Sequence, residues 1–217
     1  MSPQSPPSHA PTAAASSRPL VRPPRAVRAL RVINYMIRSK LGLAARLETV
    51  DRSVLEDIIL PFYAVCPEVQ RVLFVGCAPF TRHYEAIFPG RDYTTIDQDP
   101  RCRRFGAARH IVDKLENLDR HVAPVTLDLI ICNGVFGWGL DERVACEAAF
   151  AACARALRPG GVLLIGWNDI SSRRPIALED LEALRLFRPI EFEALGTSQY
   201  LTATRNRHTF NFYERPQ

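Results

Sequence analysis

The chain has 217 residues, 47% of them hydrophobic and 24% charged. That balance excludes a wholly disordered chain and a fibrous repeat, and the length fits one domain with room for an appendage. The net charge of +5 is unevenly spread: residues 1–47 hold eight bases and no acid, leaving 20 bases against 23 acids, a net −3, in the rest. A body of that charge is poor ground for a nucleic-acid-binding face.

The longest purely apolar runs, such as Val162–Ile165, cover a few residues, so no transmembrane helix is expected. The six cysteines (Cys66, Cys77, Cys102, Cys132, Cys146 and Cys153) form no CxxC pair and no zinc-spaced cluster with histidine. They read as structural thiols in a reducing compartment, which implies a cytoplasmic location and no metal site.

In chain order, residues 1–24 are rich in Pro, Ser and Ala. Such a segment buries too little apolar surface to offset its ordering entropy, and disorder is expected. Residues 25–66 are expected to form N-terminal helices, a lid or an arm. Over 25–47, Leu30, Ile33, Ile37, Leu41 and Ala44 recur at spacings of three and four between arginines, a basic amphipathic helix. Three readings stay open: a lid packed on the domain, a helix lying on an anionic membrane, or part of an organelle-targeting segment. Asp51 or Ser53 would cap a second helix over 52–60, ended or kinked by Pro61.

Residues 67–217 alternate strand and helix. Strands are expected at 71–76, 92–97, 109–112, 127–132 and 162–167. Helices are expected at 79–88, at 141–157 before Arg158-Pro-Gly-Gly161, and at 177–187. Late strands follow at 190–195 and 208–213. Five strands alternating with helices imply a parallel sheet covered on both faces.

Ligands of such sheets bind beyond the carboxyl ends of the strands. The residues there are Gly76-Cys77-Ala78, Asp97-Gln98, Asp113, the run Asn133 to Trp138, and Trp167 to Asp169. Gly76 permits a tight turn and close backbone approach. Asp97 lies 21 residues further on, where a carboxylate can accept from both hydroxyls of a ribose. Singly, Gly76 reads equally well as a plain turn and Asp97 as a cap before Pro100. Jointly, they describe a nucleoside pocket. Acid–base candidates are His83, Tyr84 and His208, with His110 reading as a core histidine. Phe136, Trp138 and Trp167 are candidates for an aromatic wall, and Asp169 for a substrate contact. Arg101, Arg103 and Arg104 could hold an acidic substrate or an RNA backbone, or form a solvated charge run.

Val72-Leu-Phe-Val-Gly-Cys77, Thr95-Ile-Asp97, Asp128-Leu-Ile-Ile-Cys-Asn133 and Leu157-Arg-Pro-Gly-Gly-Val-Leu-Leu164 together resemble the class I S-adenosylmethionine-dependent methyltransferases over about residues 70–213. The resemblance implies a Rossmann-like, doubly wound α/β fold, with a mostly parallel seven-stranded sheet whose last strand is antiparallel. It implies S-adenosylmethionine as cofactor. Gly76, Cys77 and Ala78 would lie along its methionine moiety, Asp97 would hold the ribose, and Asp113 would meet the adenine amino group. Asn133 would face the methyl end, with Gln98 beside Asp97.

The first loop departs from the family pattern. Phe74 stands at the acid position, and Ala78 and Phe80 replace the later glycines. Asn133-Gly-Val-Phe136 is also unlike the Asn-Pro-Pro-Tyr motif that clamps an amino group on a nucleobase or glutamine, which disfavours methylation of DNA amino groups. The expected activity is methyl transfer to a small-molecule acceptor. The alternatives are a non-catalytic methyltransferase-like binding module, or an RNA methyltransferase whose basic arm supplies phosphate contacts.

Overall fold

A computed structural model describes residues 33–38, 40–45 and 47–217. The expected disorder of 1–24, and the start of the basic helix, lie outside these residues. Of the basic helix, 33–38 are helical (α1).

The second helix, α2, runs through Val50–Ser53 as α-helix, Val54–Ile59 as π-helix and Leu60–Val65 as α-helix. Neither Asp51 nor Ser53 caps it; Thr49 takes the N-cap position without a side-chain bond. Pro61 does not end it. A proline inside a helix lacks an N–H and crowds the preceding turn. The wider π turn, in which Leu60 N–H reaches back to the Leu55 carbonyl, precedes it.

Five parallel strands form the centre of the sheet: β1 (Arg71–Val75), β2 (Asp92–Asp97), β3 (Arg109–Val112), β4 (Leu127–Asn133) and β5 (Leu157–Asn168). Beyond them are β6 (Arg188–Pro189), β7 (Gln199–Leu201) and β8 (His208–Glu214). The order is β3-β2-β1-β4-β5-β8-β6, with β8 antiparallel to β5 and β7 paired to β8 as an extra strand. This is a doubly wound sheet whose order reverses between β1 and β4, which opens a crevice at the carboxyl ends.

Alternation along the strands builds two cores. Leu73, Val75, Ile130 and Cys132 face α3 (Arg143–Ala156), with its buried Ala149, Phe150 and Cys153. Val72, Phe74, Leu129 and Ile131 face the other way, onto Leu55, Ile59 and Leu60 of α2. Asp128 fastens the lower end. Its Oδ2 accepts from the Gln70 and Arg71 amides at 2.9 and 2.7 Å, and its Oδ1 from Arg158 Nε at 2.6 Å.

Four further expected elements differ. The helix expected at 79–88 is a run of turns with a short 3₁₀ segment, Tyr84–Ile87, because Thr81 Oγ1 bonds both the amide and the carbonyl of Ala78, at 3.0 Å each, and closes a turn instead. The helix expected at 177–187 is two 3₁₀ turns, Leu178–Asp180 and Glu182–Leu186. The late strand expected at 190–195 does not form: β6 stops at Pro189, and within 190–195 there are a bond from the Ile190 amide to the Phe212 carbonyl at 3.0 Å and an isolated Phe192–Thr197 bridge. Strand β5 starts earlier than expected: Leu157 pairs Leu127, Val162 pairs Leu129, and Arg158 to Gly161 form the irregularity between them.

Candidate functional site

The crevice at the carboxyl ends holds a cavity of about 300 Å³. The first loop supplies Gly76, Cys77, Ala78, Phe80 and Thr81, and β2 supplies Ile96, Asp97 and Gln98. The loop after β3 supplies Asp113 to Glu116, and the loop after β4 supplies Asn133, Gly134, Val135, Trp138, Gly139 and Leu140. All seven residues expected at a cofactor, Gly76, Cys77, Ala78, Asp97, Gln98, Asp113 and Asn133, meet on this one wall.

Gly76 has φ +84°, and a Cβ there would lie 2.7 Å from Val135 Cγ2, so the first loop and the β4 loop approach as closely as glycine allows. Asp97 joins the first loop to β2. Its Oδ2 accepts from the Cys77 amide at 2.7 Å and its Oδ1 from the Asp99 amide at 2.8 Å. Each carboxylate oxygen retains a lone pair for a further donor. The residue that caps the 3₁₀ turn at Pro100 is Asp99, not Asp97. Burial, with Asp97 alongside, pushes the Cys77 thiol up to about 12, so it stays protonated.

Asp113 is held well below the usual carboxylate range, first by His121 at 2.7 Å, then by Asn117 at 2.7 Å and the Lys114 amide at 2.8 Å. The carboxylate is therefore already ligated on both oxygens within its own loop.

Asn133 is buried, and its Oδ1 lies 3.0 Å from His208 Nε2, while His208 Nδ1 lies 2.7 Å from Asn168 Oδ1. Burial lowers His208 to about 4, against Asp51, which raises it; Arg52 adds to the lowering. A neutral imidazole donates once and accepts once, so one of the two amides turns its NH2 to the ring. Gly166 leaves room for this chain: a Cβ there would sit 1.9 Å from Asn133 Oδ1.

The N-terminal region contributes Arg52 of α2 to the cavity wall. Its guanidinium lies 4.2 Å from the Phe80 ring centroid and donates to Tyr84 Oη at 2.8 Å. The Tyr84 hydroxyl in turn donates to Glu56 at 2.8 Å. Thus the loop that lost its later glycines is closed differently, by the Ala78–Thr81 turn and by an arginine laid over Phe80.

Several expected site residues stand elsewhere. His83, Tyr84 and His208 do not line the cavity. Tyr84 is fully buried, with burial pushing its hydroxyl far up; His83 sits 3.4 Å from Glu56; His208 lies behind Asn133. Phe136 and Trp167 are core, with their rings 5.8 Å apart, and Trp167 Nε1 donates to Asn211 at 2.9 Å. Asp169 is paired with Arg174 at 3.3 Å and Arg207 at 3.1 Å, outside the cavity lining. Trp138 does line the cavity, 51% exposed, with the Arg173 guanidinium 3.4 Å from its ring centroid. His110, expected in the core, is only half-buried on the edge strand β3, with its Nδ1 2.8 Å from Thr95 Oγ1. Sequence reasoning missed Arg52, for which no local signal exists, and Gly139, whose φ of +124° marks a turn only in retrospect. Among the described residues no cluster of His, Cys, Asp or Glu could hold a metal ion.

The fold matches solved proteins. N-methyltransferase NodS from Bradyrhizobium japonicum, solved with S-adenosyl-L-homocysteine, superposes with a TM-score of 0.60 at 17% identity, over 77% of this chain and 88% of that one. The chain has the fold of the class I S-adenosylmethionine-dependent methyltransferases. A TehB-like S-adenosylmethionine-dependent methyltransferase from Corynebacterium glutamicum gives 0.55 at 18% identity, over 88% and 98% of the two chains. A third such methyltransferase, from Archaeoglobus fulgidus, gives 0.51 at 15% identity, over 76% and 93%. No protein-family model and no curated protein matches the sequence. Among the described residues no helix is long and apolar enough to cross a membrane.

Proposed function

We propose that this protein transfers a methyl group from S-adenosylmethionine to a small-molecule acceptor. The observation that carries the reading is the convergence of Gly76, Asp97 and Asn133 on one cavity at the point where the strand order reverses. The residues present fit the cofactor: Gly76 brings bare backbone to the cavity at a positive φ, and Asp97, also on the cavity lining, keeps a lone pair on each oxygen for a further donor. The cavity volume lies at the lower end of the range for small-molecule sites.

When bound, S-adenosylmethionine supplies an electrophilic methyl on a sulfonium. The protein's share is binding, orientation and exclusion of water. Asp97 accepts from the ribose hydroxyls. Gly76 and Cys77 let the first loop run along the methionine part. Asp113, with both oxygens engaged by His121, Asn117 and the Lys114 amide, keeps the loop after β3 rigid at the adenine end. Asn133 is fixed from behind by His208 and presents one face of its amide to the methyl end. Trp138, backed by Arg173, forms the outer wall where an acceptor enters. The free, buried thiols of Cys77, Cys132, Cys146 and Cys153 suit a reducing compartment such as the cytoplasm.

The test is formation of S-adenosylhomocysteine from S-adenosylmethionine by the full chain, screened over small amines, thiols, phenols and carboxylic acids, with total RNA as the competing acceptor. Turnover on a small molecule that falls at least about tenfold in Asn133→Ala supports the reading. Turnover on RNA alone sinks it.

A further inference from the structure

Helix α1 is amphipathic in the inverse sense. Ile33, Met36 and Ile37 share one face at spacings of three and four, and each is about half exposed, at 52, 53 and 52%. Leu41, four residues after Ile37, and Leu43 in the loop beyond the helix are exposed too, at 67% and 43%. Tyr35 and Arg38, on the other side, are the partly buried ones, and Arg38 Nε donates to the Ala44 carbonyl at 2.5 Å. The apolar stripe therefore points away from the domain, contrary to a lid that packs its apolar face on the fold.

Two exposed arginines from a different part of the chain stand beside Gly42, between Leu41 and Leu43. A Cβ at Gly42 would lie 3.7 Å from Arg104 Cδ and 4.0 Å from Arg82 Nη1. Arg82, Arg103, Arg104 and Lys40 are all exposed.

We propose that the Ile33–Leu43 stripe and the Arg82/Arg104 rim form one surface that docks on an anionic phospholipid bilayer. A helix with a wide apolar face lies in the plane of the bilayer with that face at the acyl boundary, and neighbouring bases meet the lipid phosphates. RNA would engage the rim and leave the stripe in water. A second copy of the chain would cover the stripe but bring two basic rims together. An anionic bilayer satisfies both halves of the surface. The Ala45 amide donates to the Pro79 carbonyl at 2.9 Å, and Ala78 and Phe80 on either side of Pro79 line the cavity, so the docked surface sits beside the cavity.

The experiment is flotation of the full chain with vesicles of phosphatidylcholine alone and with vesicles containing phosphatidylglycerol, at low and high salt. The expected result is binding to the phosphatidylglycerol vesicles only, lost at high salt. Ile37→Ser with Leu41→Ser, and separately Arg82→Glu with Arg104→Glu, should each weaken partitioning by about tenfold or more. The melting temperature and S-adenosylhomocysteine affinity should stay at the parent's values, since none of the four residues lines the cavity. No binding to anionic vesicles at low salt, equal binding to both vesicle types, or binding untouched by either double substitution would overturn the proposal. So would capture of RNA in place of vesicles.

Discussion

His208 Nε2 lies 3.0 Å from Asn133 Oδ1, joining a residue of the last strand to the residue that ends the fourth. Only Asn133 reaches the cavity. The histidine is thus a positioning residue: it fixes how the Asn133 amide faces the cavity and does not itself line it.

The buried ring gives a pH signature. Burial, with Arg52 adding to it and Asp51 opposing it, lowers His208 from 6.5 to about 4. The unfolded chain therefore binds a proton in that interval which the folded chain refuses. The contribution to stability is complete above pH 6.5 and is lost as pH falls toward 4. Melting temperatures measured across this window should fall less steeply in His208→Gln than in the parent. Parallel curves would show that the ring is already charged when folded.

Trp138 and Trp167 are the two tryptophans of the chain, and the structure separates them: Trp138 is 51% exposed on the cavity wall, Trp167 is 5% exposed in the core. Adding S-adenosylhomocysteine should change the intrinsic fluorescence, and Trp138→Phe should abolish that change while keeping the buried emission of Trp167. A change that persists in Trp138→Phe would place the ligand elsewhere.

Arg52 serves two structures at once. It covers Phe80 at the cavity and, through Tyr84, faces Glu56, whose side chain is 8% exposed. Arg52→Met removes a charged donor from a buried network, at a cost of about 1–3 kcal/mol. Adding Glu56→Gln removes the carboxylate left behind and should recover part of the melting temperature. Affinity for S-adenosylhomocysteine should stay reduced in both variants. If it recovers together with stability, Arg52 acts only through the fold.

Strands β1, β4 and β5 were legible because each carries a short apolar run closed by a turn signal, and burial on both faces leaves no alternation to misread. Gly76 and Asp97 were legible for the same reason: their meaning depends on standing at strand ends. The helix expected over 79–88 was not, because a single Thr81 hydroxyl redirects the backbone, an effect periodicity does not carry. Phe136 and Trp167 looked like a ligand wall from their distance along the chain to the strand ends. Which side of the β4 loop and of β5 they face is set by packing on α3, and that side is the core. Arg52 enters the site from a helix far away in sequence, so only the folded chain reveals it.

The most direct measurement is calorimetric titration of the full chain and of Asp97→Ala with S-adenosylhomocysteine, with thermal melts alongside. Asp97 holds the Cys77 and Asp99 amides, so Asp97→Ala should lower the melting temperature modestly, and Asp97→Asn, which keeps one acceptor oxygen, should lower it less. A charged hydrogen bond to the ribose is worth about 1.5–3 kcal/mol, and each 1.4 kcal/mol is about tenfold in affinity. The account predicts one-site binding by the parent that weakens about tenfold or more in Asp97→Ala at a temperature where both are folded. No heat from the parent, or equal affinity in the two proteins, would contradict it.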